Sequence, residues 1–179
     1  NAGGAKPGVA TGSGFFPSIA VDAQGRVMRF CGVRCVERLS VSGTLDSTFG
    51  TSGQRLFPEP GSFYSAAATI SAAATGKVYA VGGTGISQNP FKTAPVIFAL
   101  NSDGTDDPSF GTAGRKALSV GVCGASQWTR SHVYESHGDL LLAYGDLSGG
   151  GTGACGSGET YVAALHTDGS MDSSFGAAG

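Results

Sequence analysis

Charge is scarce in this chain. Of 179 residues only 13% are charged, 11 basic against 13 acidic, for a net charge of −2. Soluble domains usually carry roughly 25%. So weak and balanced a field offers no steering toward nucleic acid or an acidic membrane surface. Long apolar runs are missing as well: none approaches the roughly 18 residues that span a bilayer as a helix. There are three histidines, one tryptophan and three asparagines (Asn1, Asn89, Asn101). No G-x-S-x-G, no H-E-x-x-H and no phosphate-cradling glycine loop ahead of a helix occurs. No motif therefore announces a reaction, and the expectation is no catalytic residues, no metal and no cofactor. Glycine, by contrast, is abundant: 31 residues, more than twice the roughly 7% average. It has no three-residue period, which excludes collagen. The hydrophobic share of 40% supports a core, and 179 residues fit one domain.

The glycines belong to an internal repeat, the first thing to look for in such a chain. Residues 43–53 (GTLDSTFGTSG), 104–114 (GTDDPSFGTAG) and 169–179 (GSMDSSFGAAG) align as G-[ST]-x-D-x-[ST]-F-G-x-[SA]-G. Phe49, Phe110 and Phe175 lie 61 and 65 residues apart. Upstream, Leu39, Leu100 and Leu165 share one column, and Val36, Ile97 and Val162 another. A second anchor is a turn at Gly25, Gly76 and Gly138, with Val27, Val78 and Leu140 two residues on and Gly32, Gly83 and Gly145 seven on.

Each unit reads as four short antiparallel strands, and the units run approximately 1–50, 51–111 and 112–179 in a single repeat domain. In the third unit the strands are expected at 115–120, 128–136, 139–144 and 160–166, between turn-forming clusters. The last strand is apolar on both parities, VIFAL at 96–100 and YVAAL at 161–165. Alternation would leave one face polar, so this strand is covered on both sides, as in sheets stacked face to face. The alanine-rich stretch 64–76 resembles a helix in composition. Its column partners, 15–25 and 128–138, have no helical period, and it is read as a strand.

Within the motif, Asp46, Asp107 and Asp172 sit where a carboxylate accepts nearby backbone N–H groups. Phe49, Phe110 and Phe175 are expected to plug between adjacent sheets. Gly50, Gly111 and Gly176 permit a backbone conformation closed to other residues. The rival reading is a repeated cation site, best represented by Asp103, Asp106 and Asp107; it lacks the ligand series and bidentate Glu of a calcium loop.

These columns resemble the delta-60 repeat family, through the G-[ST]-x-D-x-[ST]-F-G segments, the AQGRV, ATGKV and SHGDL turns and the glycine that ends the next strand. The resemblance covers nearly the whole chain. It implies β-propeller blades in bacterial, mostly exported or cell-surface proteins, and is silent on activity. Unit two departs at Asp106, where the pattern prefers an apolar residue. Three blades are fewer than the four to eight of a closed propeller. The expected fold is all-β: three four-stranded antiparallel propeller blades, completed to a larger ring or array by another chain.

Four cysteines read as two disulfides in an oxidising compartment. Buried free thiols and metal or redox chemistry are the rival readings. Cys31 and Cys35 flank a hairpin tip, where facing Cα atoms come roughly 4.5–5.5 Å apart. Cys123 and Cys155 map to loops on one face and are paired to pin the glycine-rich stretch 145–159. A first residue of Asn rather than Met fits either a removed signal peptide or a piece of a longer chain. The expected location is secreted, periplasmic or cell-surface.

On the face that carries the cysteines, the loop between third and fourth strands grows along the chain. It holds 3 residues at 33–35, 13 at 84–96 and 16 at 146–161. Variable loops on a regular scaffold are where binding concentrates. Trp128 and Tyr144 near that face are the candidate ligand-binding pair, suited to stacking on a sugar. Asp139, Asp146 and Glu159 are the carboxylates a hydrolase or lyase would draw on. His132 falls in the column of Ile19 and Ile70 and reads as an interior histidine; His137 and His166 fall on the opposite face. Unit one concentrates charge: Arg26, Arg29, Arg34, Glu37 and Arg38, with Glu37 and Arg38 in columns that hold Phe98/Ala163 and Ala99/Ala164. A covered face does not take such residues cheaply, so this unit is either a terminal blade with a wet face or a partner-binding surface.

The functional expectation is a non-catalytic exported propeller module acting in assembly or as an accessory subunit. Gly3 falls in the column of Gly53, Gly114 and Gly179, so the tail matches the head. The expected partner is a second copy joined head to tail, as a six-bladed dimer or a filament, or another subunit. The alternatives are a carbohydrate- or ligand-binding propeller and a hydrolase or lyase with carboxylates at loop tips.

Overall fold

A computed structural model describes residues 18–32, 34–57, 64–88, 91–118, 123–124, 129–136, 138–146 and 160–176. Among them there is no helix, and the chain is built from twelve strands. The first sheet is a meander of β1 (Ile19–Val21), β2 (Val27–Gly32), β3 (Cys35–Leu39) and β4 (Gln54–Leu56). The second follows the same order with β5 (Tyr64–Ala72), β6 (Val78–Gln88), β7 (Phe91–Leu100) and β8 (Arg115–Ala117), and the short β9 (Cys123–Gly124) also pairs with β7. The third holds β10 (Thr129–Ser136), β11 (Asp139–Asp146) and β12 (Thr160–His166). Every pairing between these strands is antiparallel. The molecule is all-β with three blade-like units, and the alanine-rich stretch is the strand β5.

Two cores hold the three sheets together. Met28, Phe30 and Val36 of the first sheet meet Ile70, Val78, Val96 and Phe98 of the second. On the other face of the second sheet, Tyr79, Val81, Ile97 and Ala99 meet Val133, Leu140, Leu142 and Leu165 of the third. This is why the middle strand VIFAL is apolar on both parities: Val96 and Phe98 serve one core, Ile97 and Ala99 the other. The inner strand β5 contacts both β1 and β10, while no comparable contact joins the outer strands β4 and β8. The sheets thus approach along one edge and fan apart at the other.

The fourth strand of the first two sheets differs from the expectation. Residues 115–117 pair with β7, as Phe98↔Arg115, Ile97↔Lys116 and Val96↔Ala117, and Gln54–Leu56 pairs with β3. The strand after each motif therefore closes the sheet before it; it does not open the next unit, and the cuts after 50 and 111 fall one strand too early. The cause is the motif itself. Asp107 donates its N–H to the Ala99 carbonyl and Ala99 donates back to Gly114, at 2.9 Å each. The motif folds the chain back along the strand it has just left. Gly111 makes this possible: at φ 54°, an added Cβ would lie 2.3 Å from the Arg115 carbonyl oxygen.

Two further differences concern loops and register. Residues 84–88 and 91–96 are strand and not loop: β6 and β7 stay paired outward to Gly85↔Thr93 and Gln88↔Phe91. In the third sheet the hairpin is one residue shorter, since Glu135 pairs with Leu140 whereas Val21 pairs with Val27 and Ala72 with Val78. A one-residue change exchanges the faces of a strand. Val133, buried in the second core, takes the column of Ile19 and Ile70 in place of His132.

Candidate functional site

The features that recur are the junctions between neighbouring sheets. Each begins with the motif aspartate. Oδ1 of Asp46, Asp107 and Asp172 accepts the backbone N–H and the hydroxyl of the residue two on, Thr48, Ser109 and Ser174, with hydroxyl distances of 2.6 Å in all three. The main-chain oxygen of the same aspartate accepts the N–H of Phe49, Phe110 or Phe175 at 3.1 Å. These contacts hold the carboxyls below the usual value. For Asp46 and Asp172 the hydroxyl bond is the main cause; for Asp107 burial opposes, and Lys77 and Ser109 prevail. Lys77 reaches Asp107 at 2.5 Å.

The turn thus fixed aims its phenylalanine at the next unit. Phe49 and Phe110 are 0% exposed. The Phe49 ring lies against Gly104 and the Phe110 ring against Gly169, so closely that a Cβ at either glycine would meet the ring at 2.9 and 3.2 Å. The next residue completes the joint: Gly50 donates its N–H to the Asp103 carbonyl at 2.6 Å, and Gly111 to Asp168 at 2.7 Å. A junction is therefore a plug (Phe-Gly) in a socket, the turn glycine and preceding carbonyl of the following motif.

The first junction is reinforced by charge. Arg38 is buried, with its guanidinium 4.8 Å over the Phe49 ring. It donates to Asp46 at 2.8 Å, to Thr48 at 2.9 Å and across the junction to the Ser102 carbonyl. Arg55 bonds both oxygens of Asp106, and Phe57 stacks on Phe98 at 4.3 Å. At the second junction the columns of Arg55 and Asp106 hold Lys116 and Met171, which form no ion pair. There a cleft of about 410 Å³ opens beside Lys116, Asp168 and Ser170.

The residues singled out from sequence separate into different places. Arg38 is an internal staple between the first two units, not a partner-binding residue, because all three of its guanidinium nitrogens are taken inside the chain. Arg26 pairs with Asp22 at 2.7 Å in the β1–β2 turn. Arg29 and Glu37 pair at 2.5 Å on the opposite face of the first sheet, where Gln54 also bonds Glu37 at 3.1 Å. Arg34 is exposed at the hairpin tip. Tyr144 is 2% exposed and stacks on Tyr161 inside the second core, at 5.5 Å. It belongs to packing and offers no sugar platform. Trp128, His137, Glu159 and Cys155 lie outside the described residues. Asp139 pairs with His166 at 3.0 Å, which raises the histidine's pKa. Asp103, Asp106 and Asp107 turn to three different partners, Thr105, Arg55 and Ser109. Among the described residues no group of three or more His, Cys, Asp or Glu is placed to hold a metal ion, and no helix is long and apolar enough to cross a membrane. Cys31 and Cys35 form a disulfide with Cα atoms 5.0 Å apart. Of the other pair, Cys123 pairs through its backbone with Thr93, which puts it on the second sheet.

Among the described residues two of the three motif phenylalanines and two of the three turn glycines are buried in junctions, and Phe175 and Gly43 are not. Phe175 is 36% exposed, against 0% for its two equivalents. Gly43 is exposed where Gly104 and Gly169 are buried, though all three share φ near 80°. Around Phe175, the outward face of the third sheet exposes Tyr134 and Val162. Around Gly43, the first unit exposes Ile19, Val21, Val41 and Leu45. Among the described residues the outer edge of β12 carries no strand, whereas β3 and β7 are both covered there. No family model, curated protein or solved structure matches this chain.

Proposed function

We propose that this chain is a non-catalytic, exported repeat module of the delta-60, β-propeller type that works by assembly. The observation that supports the reading is a fan of sheets whose inner faces are packed and whose two outermost faces, among the described residues, both present apolar side chains. Patches of that kind on a soluble protein mark contacts with other macromolecules, and terminal repeats that stand alone carry polar outer faces instead. The Cys31–Cys35 disulfide fits an oxidising compartment. Among the described residues, the motif aspartates Asp46, Asp107 and Asp172 bond their own turns, and Tyr144 is core.

The test is native molar mass by light scattering, under non-reducing conditions and over a wide concentration range. The expected result is a mass at least twice that of the single chain. A single-chain mass throughout the range refutes assembly as this chain's mode of action.

A further inference from the structure

We infer that the two spare halves of the junction dock on each other between copies: Phe175–Gly176 of one chain enters the socket at Ser42–Gly43 of a second copy of this chain. The inference rests on the assembly reading and names the partner and the contact. It follows from continuity with an interface the chain already makes twice. At both internal junctions the plug phenylalanine is fully buried against a turn glycine with φ near 80°, and the next N–H donates to the carbonyl of the residue before that glycine. Gly43 has φ 80° and lies in that column, and Ser42 supplies the carbonyl. Phe175 is presented by the same turn as its equivalents, with Phe175 N–H on the Asp172 carbonyl and Asp172 N–H on Ala164.

The flanking surfaces agree. A plug lies beside the face that carries Met28 in the first sheet and Tyr79 in the second; in the third sheet that face carries Leu141, Tyr134 and Val162. A socket lies beside the face of Val78 and Ala80 in the second sheet; in the first sheet that face carries Ile19, Val21 and Val27. Both free faces present apolar side chains, and the plug face also carries Asp139 and His166, which pair with each other at 3.0 Å. The charges on the socket face, Arg29 and Glu37, already pair with each other, so covering them strands neither. The contact is heterologous, and it yields a closed ring or an open filament according to the rotation per chain.

A heterologous contact has a signature that mutual patch-to-patch contact lacks. Phe175→Asp spoils the plug and leaves the socket; Gly43→Asn spoils the socket and leaves the plug. Asn tolerates the positive φ, while its Cβ occupies the space the incoming ring needs. Both sites are exposed in the single chain, and circular dichroism with a melting curve checks that each variant is folded. By light scattering, Phe175→Asp alone and Gly43→Asn alone are expected as monomers, and an equimolar mixture as a one-to-one dimer. Phe175→Ala, a milder change, should weaken association by at least about 30-fold, as loss of a central aromatic anchor does. If the wild-type chain assembles and both variants still assemble, or the mixture stays monomeric, the plug-and-socket contact is wrong while assembly stands. If the wild-type chain itself is monomeric, both fall.

Discussion

Gly104→Ala should destabilise the fold well beyond the cost of placing alanine at a positive φ, and Gly43→Ala should not. The two glycines occupy the same column with φ 83° and 80°. Alanine in that region costs about 1–2 kcal/mol at either site. Only Gly104 faces a seated plug: its added Cβ would lie 2.6 Å from the Gly50 nitrogen and 2.9 Å from the Phe49 ring. Relieving that overlap displaces a fully buried ring, an overpacking cost of about 1–3 kcal/mol. It also loosens the Gly50–Asp103 hydrogen bond, worth about 0.5–1.5 kcal/mol. The difference between the variants is therefore about 2–4 kcal/mol, a large part of the roughly 5–15 kcal/mol that stabilises a domain. Urea unfolding measures it, with both substitutions made in the Phe175→Asp background so that self-association does not shield Gly43. With m of roughly 1–3 kcal/mol/M, the Gly104→Ala midpoint should fall below the Gly43→Ala midpoint by about 1–2 M. Equal midpoints would show that these glycines are present for backbone conformation alone, and would remove the argument that the motif is a plug in a socket.

Two other results are expected. Arg38→Ala should cost about 1.5–3 kcal/mol in the same urea assay, since it removes the charge-assisted hydrogen bonds of a buried guanidinium while Asp46 keeps its bonds from Thr48; a loss under about 1 kcal/mol would place Arg38 in water. Stability should also fall in acid. The carboxyls of Asp22, Asp46, Asp103 and Asp107 are held below their ordinary 3.8 in the folded chain. The unfolded chain then binds protons first, so the stability they supply is present above pH 3.8 and lost as pH falls through the folded values. Urea midpoints measured from pH 6 downward should be level and then decline through this window, less steeply in Asp107→Asn; a curve flat to pH 2 would be the contrary result.

Repetition is what made the fold legible. Columns such as Val36/Ile97/Val162 recur because each occupies the same place in a sheet, and the double-parity strand VIFAL already implied cover on two faces. What the columns could not show is which neighbour a strand pairs with, because a strand following a reversal satisfies the same alternation on either side. The decisive contacts, Ala99 with Asp107 and Gly114, are main-chain hydrogen bonds, and no side-chain pattern encodes them. Register failed for a similar reason. Aligning Gly138 with Gly76 put His132 beside Ile70, but the residue missing from that hairpin moves the column to Val133. Arg38 misled because a charge in an alanine column suggests an outer, wet face. Its partners are a motif side chain eight residues on and a carbonyl 64 residues on, and only the second locates it between sheets.

The pairing of each post-motif strand with the sheet before it changes what a unit is. The motif leaves one sheet at β3 or β7, sends its phenylalanine toward the next sheet, and returns to close the sheet it left. The first two Asp-Phe-Gly turns are thus part of two sheets at once, through the main chain on one side and the ring on the other. Separating neighbours at a motif would cost a closing strand and a buried plug together, which ties the stability of each sheet to its neighbour. At the third sheet Phe175 is exposed, and among the described residues the outer edge of β12 carries no strand. The same turn presents both, so one docking surface is positioned to cover both.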